Sequence, residues 1–558
     1  MDFNNIKTIN LDHIKYLENK LLNNQFEALE KIIDNLNRED FKLPAIQLLY
    51  ANSKVLNKNS NLKEKKIAFD IFIKIFKSNP SFKNVLYNAC AICFEINEYN
   101  EILFLLEDFV KKNDYDEKVY NTLYKIYAVL GETEKAIKCL ELVIKNEPKN
   151  LKAWSALIFT SLYSNKFTQN KTINLYGEFA KNIKNYEVTE KISVPDKYSK
   201  IKIGFISPYF DGNSIDGFLI GLLENLDRKI FEITGFNLNI SNNKSNHLIH
   251  HFDDWYHVHN LKDLDLINFI RKKNINILID LVGHGPKNRL SIFKNRAAPL
   301  QISWLGYTNT TLLKEMDYLI ADPNLIKNDE KNLYCEKILY LPNIWNAHNK
   351  IGENLVIKDL PYDRNKYITF GSFNNFKKIS NNVIEVWSEI LNKTNSKLIL
   401  KSSMHNNFEL RERFLNKFPK SIRDKIILLE GQKEKLDHIN LYNEIDIGLD
   451  TFPYTGVTTT FEAIWMGVPV LTLKGNNFTS RCGESININL KLEEFIAVDT
   501  RDYIKKAINF TKKIEVVRNL RKNLREQAIH SPLFKTKDFA NQFSDQLKNL
   551  WIKKIKIN

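Results

Sequence analysis

The chain has 558 residues, 43% of them hydrophobic, and a formal charge of +15 from 81 Lys and Arg against 66 Asp and Glu. That composition excludes a disordered chain, and at roughly 100–200 residues per domain it predicts about three or four domains. The basic residues are spread along the chain rather than gathered in a block, which suits an acidic partner as small as a nucleoside diphosphate.

Aromatic and basic residues do not interleave as in a binding module, so no nucleic-acid partner is expected. Cys90, Cys93, Cys139, Cys335 and Cys482 are too dispersed for a disulfide framework and predict a reducing, cytoplasmic setting. Cys90-x-x-Cys93 has no second pair of ligands to complete a zinc site. The first residues, MDFNNIKTINLDHIKYLENK, have no apolar core of a secretion signal. No window approaches the ~18 uninterrupted apolar residues of a membrane span. Oligomerisation stays possible.

Along the chain, residues 1–165 read as helical repeats. Ala68, Ile102 and Ala136 recur every 34 residues, as do Pro80, Asp114 and Pro148, the period of tetratricopeptide repeats. Such arrays leave a concave groove, and the expected role is to hold an acceptor protein. From 166 to 199 the period is lost, and Ser193-Val194-Pro195 reads as a linker.

Strands and helices then alternate. Strands are expected at Ile201–Ser207, Ile233–Leu238, Ile275–Leu281, Gln301–Leu305 and Tyr318–Ala321 in a domain of residues 200–355. A second series, in a domain of residues 356–558 with C-terminal helices, is expected at Tyr367–Phe373, Lys397–Lys401, Ile426–Glu430, Ile445–Leu449, Val468–Leu473 and Phe495–Val498. The predicted class is α/β behind an all-α array: two doubly wound, Rossmann-like domains with a ligand cleft between them. No GxGxxG follows the first strand, which disfavours ordinary dinucleotide binding.

The stretch Ile445–Leu473, IDIGLDTFPYTGVTTTFEAIWMGVPVLTL, reads as strand, turn, helix and strand. Gly456 lies in the turn, Thr458, Thr459 and Thr460 are placed to cap the helix, and Gly467 ends it. Free N–H groups, the helix dipole and three hydroxyls there favour an anion; helix capping alone explains the threonines equally well.

The segments SPYFDGNSIDGFL, LIDLVGHGPKNRL, APLQISWLGYTNTT, MDYLIADP, ITFGSFNNFKKIS, LDTFPYTGVTTTFEAIWMGVPVLTL and SPLF together resemble the catalytic region of the protein O-GlcNAc transferase and Spindly family, over about Lys200 to Phe534. The resemblance implies an inverting GT-B glycosyltransferase that takes a nucleotide sugar and modifies Ser or Thr of proteins. It implies that Lys378 contacts the diphosphate, with Asn375 beside it. Lys435 and His438 would hold the nucleoside, Gly456, Thr458 and Thr459 the phosphates, and Glu462 the ribose. His284 falls where the family has a residue near the sugar.

Two positions depart from the pattern. Asn213 stands where many relatives have a histidine and cannot act as a base; Asp216, three residues on, could substitute, or the proton could leave through water or the diphosphate. Val457 stands where O-GlcNAc transferases have another histidine, which makes FPYTGVTTT more similar to Spindly and bacterial members. UDP-GlcNAc is favoured over GDP-fucose and a UDP-hexose as donor. The only Asp-x-Asp of the catalytic region, Asp263-Leu264-Asp265, lies away from the diphosphate site, so no metal or other cofactor is expected. A non-catalytic repeat scaffold is the reading from another functional class.

Overall fold

The computed structural model describes residues 9–167, 169–192, 199–210, 214–239, 248–352, 354–402, 407–432 and 434–557. The chain divides into two compact units, Met1–Ile126 and Tyr127–Asn558.

The first unit is helical. Helices begin at Lys83 and Glu117, and another begins at Leu151 in the second unit, so these starts are 34 residues apart along the chain, matching the period in the sequence. In the helix Leu62–Ser78, Phe69, Phe72, Ile73 and Phe76 form an apolar stripe no more than 5% exposed. Asn61 and Glu64 close its start in a reciprocal capping box. Cys90 and Cys93 are buried on the helix Lys83–Ile96, where Cys93 Sγ donates to the Cys90 carbonyl, so the pair serves helix packing.

The second unit holds two parallel sheets. The first contains β1 (Ile201–Ser207), β2 (Phe231–Asn237), β3 (Asp254–His257), β4 (Ile277–Asp280), β5 (Leu300–Ser303), β6 (Tyr318–Ala321) and β7 (Lys337–Tyr340), in the order β3-β2-β1-β4-β5-β6-β7. The second contains β8 (Ile368–Ser372), β9 (Ser396–Ser402), β10 (Ile426–Glu430), β11 (Ile447–Leu449), β12 (Val470–Leu473) and β13 (Ile496–Ala497), in the order β10-β9-β8-β11-β12-β13. Each order reverses once, between β1 and β4 and between β8 and β11, and ligands of open sheets gather at the carboxyl ends of such switch points. The inner strands are short apolar runs buried on both faces, as sheets covered by helices on both sides require, whereas the edge strands β3 and β7 are partly exposed.

The stretch read as a linker is structured. Phe179 and Ile183 are buried in one cluster with Leu266, Ile267 and Ile270 of the first sheet domain, because apolar side chains at 179 and 183 share a helix face. Ser193-Val194-Pro195 lies outside the described residues. The end of the repeat array joins the same cluster: Trp154, Ile158 and Leu162 pack with Ile206, Phe236 and Leu278. Losing a buried Trp such as Trp154 to Ala should cost about 3–5 kcal/mol. A boundary at 165 therefore cuts through a core. The last helix, Thr536–Ile557, also crosses back from the second sheet domain, where the sequence placed it. Phe539, Phe543, Leu547 and Trp551 are buried against the first sheet domain.

Candidate active site

A cleft of about 550 Å³ opens between the carboxyl ends of the two sheets. Ser214, Phe218, Leu305, Gly306, Thr308 and Asn346 face it from the first sheet domain. Asn374, Asn375, Lys378, Lys401, Thr458 and Thr459 face it from the second. Its walls hold two lysines and no carboxylate among the described residues.

Asp450 sets the geometry of the second wall. It follows β11 and is 1% exposed. Its Oδ1 accepts from the backbone N–H groups of Thr451 (2.9 Å) and Gly456 (2.7 Å) and from Asn374 Nδ2 (3.3 Å), and its Oδ2 accepts from Thr472 Oγ1 (2.8 Å). Burial raises its pKa to about 6, opposed by those donors and by the nearby Lys378. The turn it closes delivers Thr458 and Thr459 to the start of the helix Thr458–Trp465.

The threonines do not cap that helix. Its N-cap is Val457, with no side-chain cap bond. Thr459 Oγ1 instead donates to Asn374 Oδ1 at 3.0 Å, and Thr458 Oγ1 to the Ser214 carbonyl at 3.4 Å. Gly456 is dictated by space: a Cβ there would stand 2.7 Å from Thr459 Oγ1 and 2.8 Å from Thr460 Oγ1.

Lys378 ends the 3₁₀ turn Phe376–Lys378, which Asn375 caps by accepting from the Lys377 N–H. Its ammonium donates to the Thr455 carbonyl at 2.8 Å and lies 4.4 Å from the centre of the Tyr454 ring. Burial lowers its pKa to about 8, against the opposing pull of Asp450. A cation so poorly solvated gains from a bound anion, which would replace the lost water.

Lys401, at the end of β9, is the second cation of the cleft. Burial lowers its pKa to about 8 as well, with Glu462 opposing. It is hydrogen-bonded to His438 Nδ1, and His438 Nε2 meets Glu462 Oε2 at 3.0 Å. Since an ammonium has only protons to give, Nδ1 is the acceptor and the Nε2–H points at the carboxylate. Glu462 also accepts from the Tyr442 hydroxyl at 3.3 Å. Glu462 and His438 thus stand behind Lys401 rather than in the cleft wall.

The remaining candidates separate. Asp216 begins the helix Asp216–Leu223 and is 4% exposed. It lines a smaller cavity of about 280 Å³ with His348 and Lys435, so neither Asp216 nor Lys435 is brought to the main cleft. Asn213 lies outside the described residues.

His284 does not face the cleft either. It is 2% exposed, its Nδ1 meets Ser155 Oγ at 3.1 Å, and its Nε2 meets the Thr311 carbonyl at 2.7 Å. Burial depresses its pKa to about 4, so the ring is neutral, and neither nitrogen is left for a sugar hydroxyl. Asp263 is tied to Arg289 at 2.5 Å and to Ser291, a structural pair on the first sheet domain. Among the described residues no three His, Cys, Asp or Glu side chains come together as a metal site. None of their helices is long and apolar enough to cross a membrane.

Asn374, Asp450, Lys401 and Tyr454 were missed from sequence. Asp450 carried the one usable signal, an acid following a buried strand directly before a turn.

The chain matches glycosyl transferase family 41 over residues 179–358 and 353–543. It is 29% identical over 429 residues to a tomato (Solanum lycopersicum) protein named as a probable UDP-N-acetylglucosamine peptide N-acetylglucosaminyltransferase, SPINDLY; the match covers 73% of this chain and 45% of that protein. It is 24% identical to the Arabidopsis thaliana SEC protein, named for the same activity, over 63% of this chain and 37% of that one. The chain thus spans about half the length of the relatives it matches, or less. Its fold is that of a Thermobaculum terrenum O-GlcNAc transferase mutant, with a TM-score of 0.80 at 23% identity, covering 94% of this chain and all of the other. With both sheets inside the matched region, the chain belongs to glycosyl transferase family 41.

Proposed function

We propose that this chain is a protein glycosyltransferase that moves a sugar from a nucleoside diphosphate sugar to a Ser or Thr hydroxyl, with inversion. The observation that carries this reading is the cleft wall with two poorly solvated lysines, the start of the helix Thr458–Trp465 and, among the described residues, no carboxylate. The names of the relatives favour UDP-GlcNAc as donor over GDP-fucose or a UDP-hexose.

In the reaction the acceptor oxygen attacks the anomeric carbon and loses its proton, while the bond from that carbon to the diphosphate oxygen breaks. The electron pair leaves with the diphosphate. Lys378 and the N–H groups at Thr458 and Thr459 face this growing charge and stabilise the transition state more than the ground state. They do so without a metal, so EDTA should leave the rate unchanged; activity lost to EDTA and restored by Mg²⁺ or Mn²⁺ would overturn that point. Lys401, oriented by His438 and Glu462, holds a further polar part of the donor. The proton leaves to the departing diphosphate, directly or through water; Asp216 is buried outside the main cleft, so Asp216→Asn should leave the rate unchanged across neutral pH, and a lost rate would return Asp216 to the reaction. The helical repeats present acceptor proteins.

A thermal-shift panel of UDP, GDP, UDP-GlcNAc, UDP-glucose and GDP-fucose tests the reading. A ligand at ~100 times its Kd should add about 2.7 kcal/mol, and UDP-GlcNAc should give the largest shift among the sugars. No shift with any nucleotide would favour a non-catalytic scaffold.

A further inference from the structure

The helix Leu151–Ser161 and the turn after it place Ser155, Phe159 and Tyr163 four residues apart, on one stripe. Ser155 bonds His284. Phe159 stacks on Tyr307, with ring centres 6.1 Å apart, and Tyr163 stacks on Tyr454 at 4.7 Å and 20°. Tyr454 in turn carries the Lys378 ammonium over its ring. One stripe of the last repeat therefore reaches the cation of the cleft through a single intervening ring.

The other half of the same hairpin supports the backbone of that lysine. Gly131 has φ +69, and a Cβ there would stand 3.2 Å from the Phe376 carbonyl and 3.5 Å from that of Ile379. The hairpin is pinned beside this contact by Lys417, which donates to the Leu130 carbonyl at 2.6 Å, and by the Arg413–Glu132 pair at 2.7 Å.

We propose that the hairpin from Tyr127 to Tyr163 is part of the catalytic half, and that Tyr163, acting through Tyr454, is a positioning residue for the Lys378 ammonium. This rests on the role given to Lys378 above. A lysine has four rotatable bonds, and without a fixed ring beneath it the ammonium would spread over several rotamers. The Tyr454 face attracts the charged form, and Tyr163 keeps that ring from turning. The other groups around the ammonium are Asp450 after β11, the Cys482 thiol on the helix Phe478–Asn489 and the Thr455 carbonyl, with Lys401 in the same cleft.

The test is donor hydrolysis by full-length wild type, Tyr163→Leu, Tyr163→Phe, Tyr454→Leu and Lys378→Ala, using UDP-GlcNAc and the other sugars of the panel. Tyr163→Leu should lower kcat about threefold to tenfold with KM within about twofold, and Tyr163→Phe, which keeps the stack, should restore most of the rate. Tyr454→Leu should lower kcat further and move the alkaline fall of kcat to lower pH, because the ammonium loses the ring that favours it. Equal rates for Tyr163→Leu and wild type, or an alkaline limb unmoved in Tyr454→Leu, would overturn the proposal. Should Tyr163→Leu fail to fold, the limb in Tyr454→Leu decides. Full activity in Lys378→Ala would instead remove the role of the lysine itself; an inactive Lys378→Ala beside wild-type tyrosine variants removes only the positioning.

Discussion

At the switch point of the first sheet, Asp280 ends β4 and accepts from the N–H groups of Val282 (3.1 Å) and Gly283 (2.8 Å). At that of the second, Asp450 comes directly after β11 and accepts from Thr451 and Gly456. Both acids organise a turn at a carboxyl edge, yet the two turns lead to opposite surroundings. Behind Asp280 the polar groups satisfy one another: His284 bonds Ser155 and Thr311, and buried Glu336 accepts from Thr310 Oγ1 (2.7 Å) and the Thr311 N–H (2.6 Å). Behind Asp450 the turn delivers hydroxyls and a helix start to open space, beside two cations lowered toward neutrality by burial. A completed hydrogen-bond network makes a wall, and one that leaves hydroxyls, a helix start and poorly solvated cations facing open space suits an anion.

The largest effect expected from breaking this contrast comes from the closed edge. Deleting residues 1–162 removes Ser155 from His284 and Trp154 from the core, so donor hydrolysis and folded protein should both be lost. Deleting 1–126 should spare hydrolysis and abolish transfer to proteins. Circular dichroism and a hydrolysis assay on the two truncations check this; equal hydrolysis by both would show that the hairpin at 127–162 is dispensable.

Next in size, Asp450→Ala orphans four donors and should cost about 2–4 kcal/mol in urea unfolding, with a loss below 1 kcal/mol contradicting its organising role. His284→Ala should cost about 1–3 kcal/mol, since it orphans the Thr311 carbonyl and Ser155, while donor KM stays near wild type. A large rise in KM would return His284 to the sugar.

Smaller still is a stability gain. Lys378 has a folded pKa near 8 against 10.5 for an ordinary lysine. It therefore destabilises the ligand-free fold fully below pH 8, and the penalty fades as pH rises toward 10.5. Lys378→Met should melt higher than wild type at pH 7, the gap closing by about pH 10.5; a gap constant with pH would mean that the ammonium is well solvated. Asn213→Ala should change least, a few-fold in acceptor KM.

Much of the fold was legible because buried strands are short apolar runs, and β1, β6 and β10 were read to the residue. β3 and β7 were not: DWYH and KILY are four-residue edge strands, half exposed and carrying charge, so they lack the apolar run that marks a central strand. The linker reading failed for a related reason, since Phe179 and Ile183 are isolated apolar residues whose burial depends on partners almost a hundred positions away. In the site, Lys378, Thr458 and Thr459 stood in an ordered set of motifs. Lys401 did not, because a lysine at a strand end looks like any solvated lysine until the fold places His438 and Glu462 behind it. His284 misled for the opposite reason: a histidine in a glycine-rich turn reads as a ligand until a serine from a distant helix is seen on its ring.

The most direct test of the open edge is kcat at saturating donor for Lys378→Ala. In the proposed reaction the charge facing this ammonium would grow only as the diphosphate leaves, so kcat should fall roughly 10²–10³-fold with a smaller change in donor KM, and Lys378→Arg should recover little. A kcat within a few-fold of wild type would contradict the placement of the diphosphate at Lys378, and with it the reading of the second carboxyl edge as the donor site.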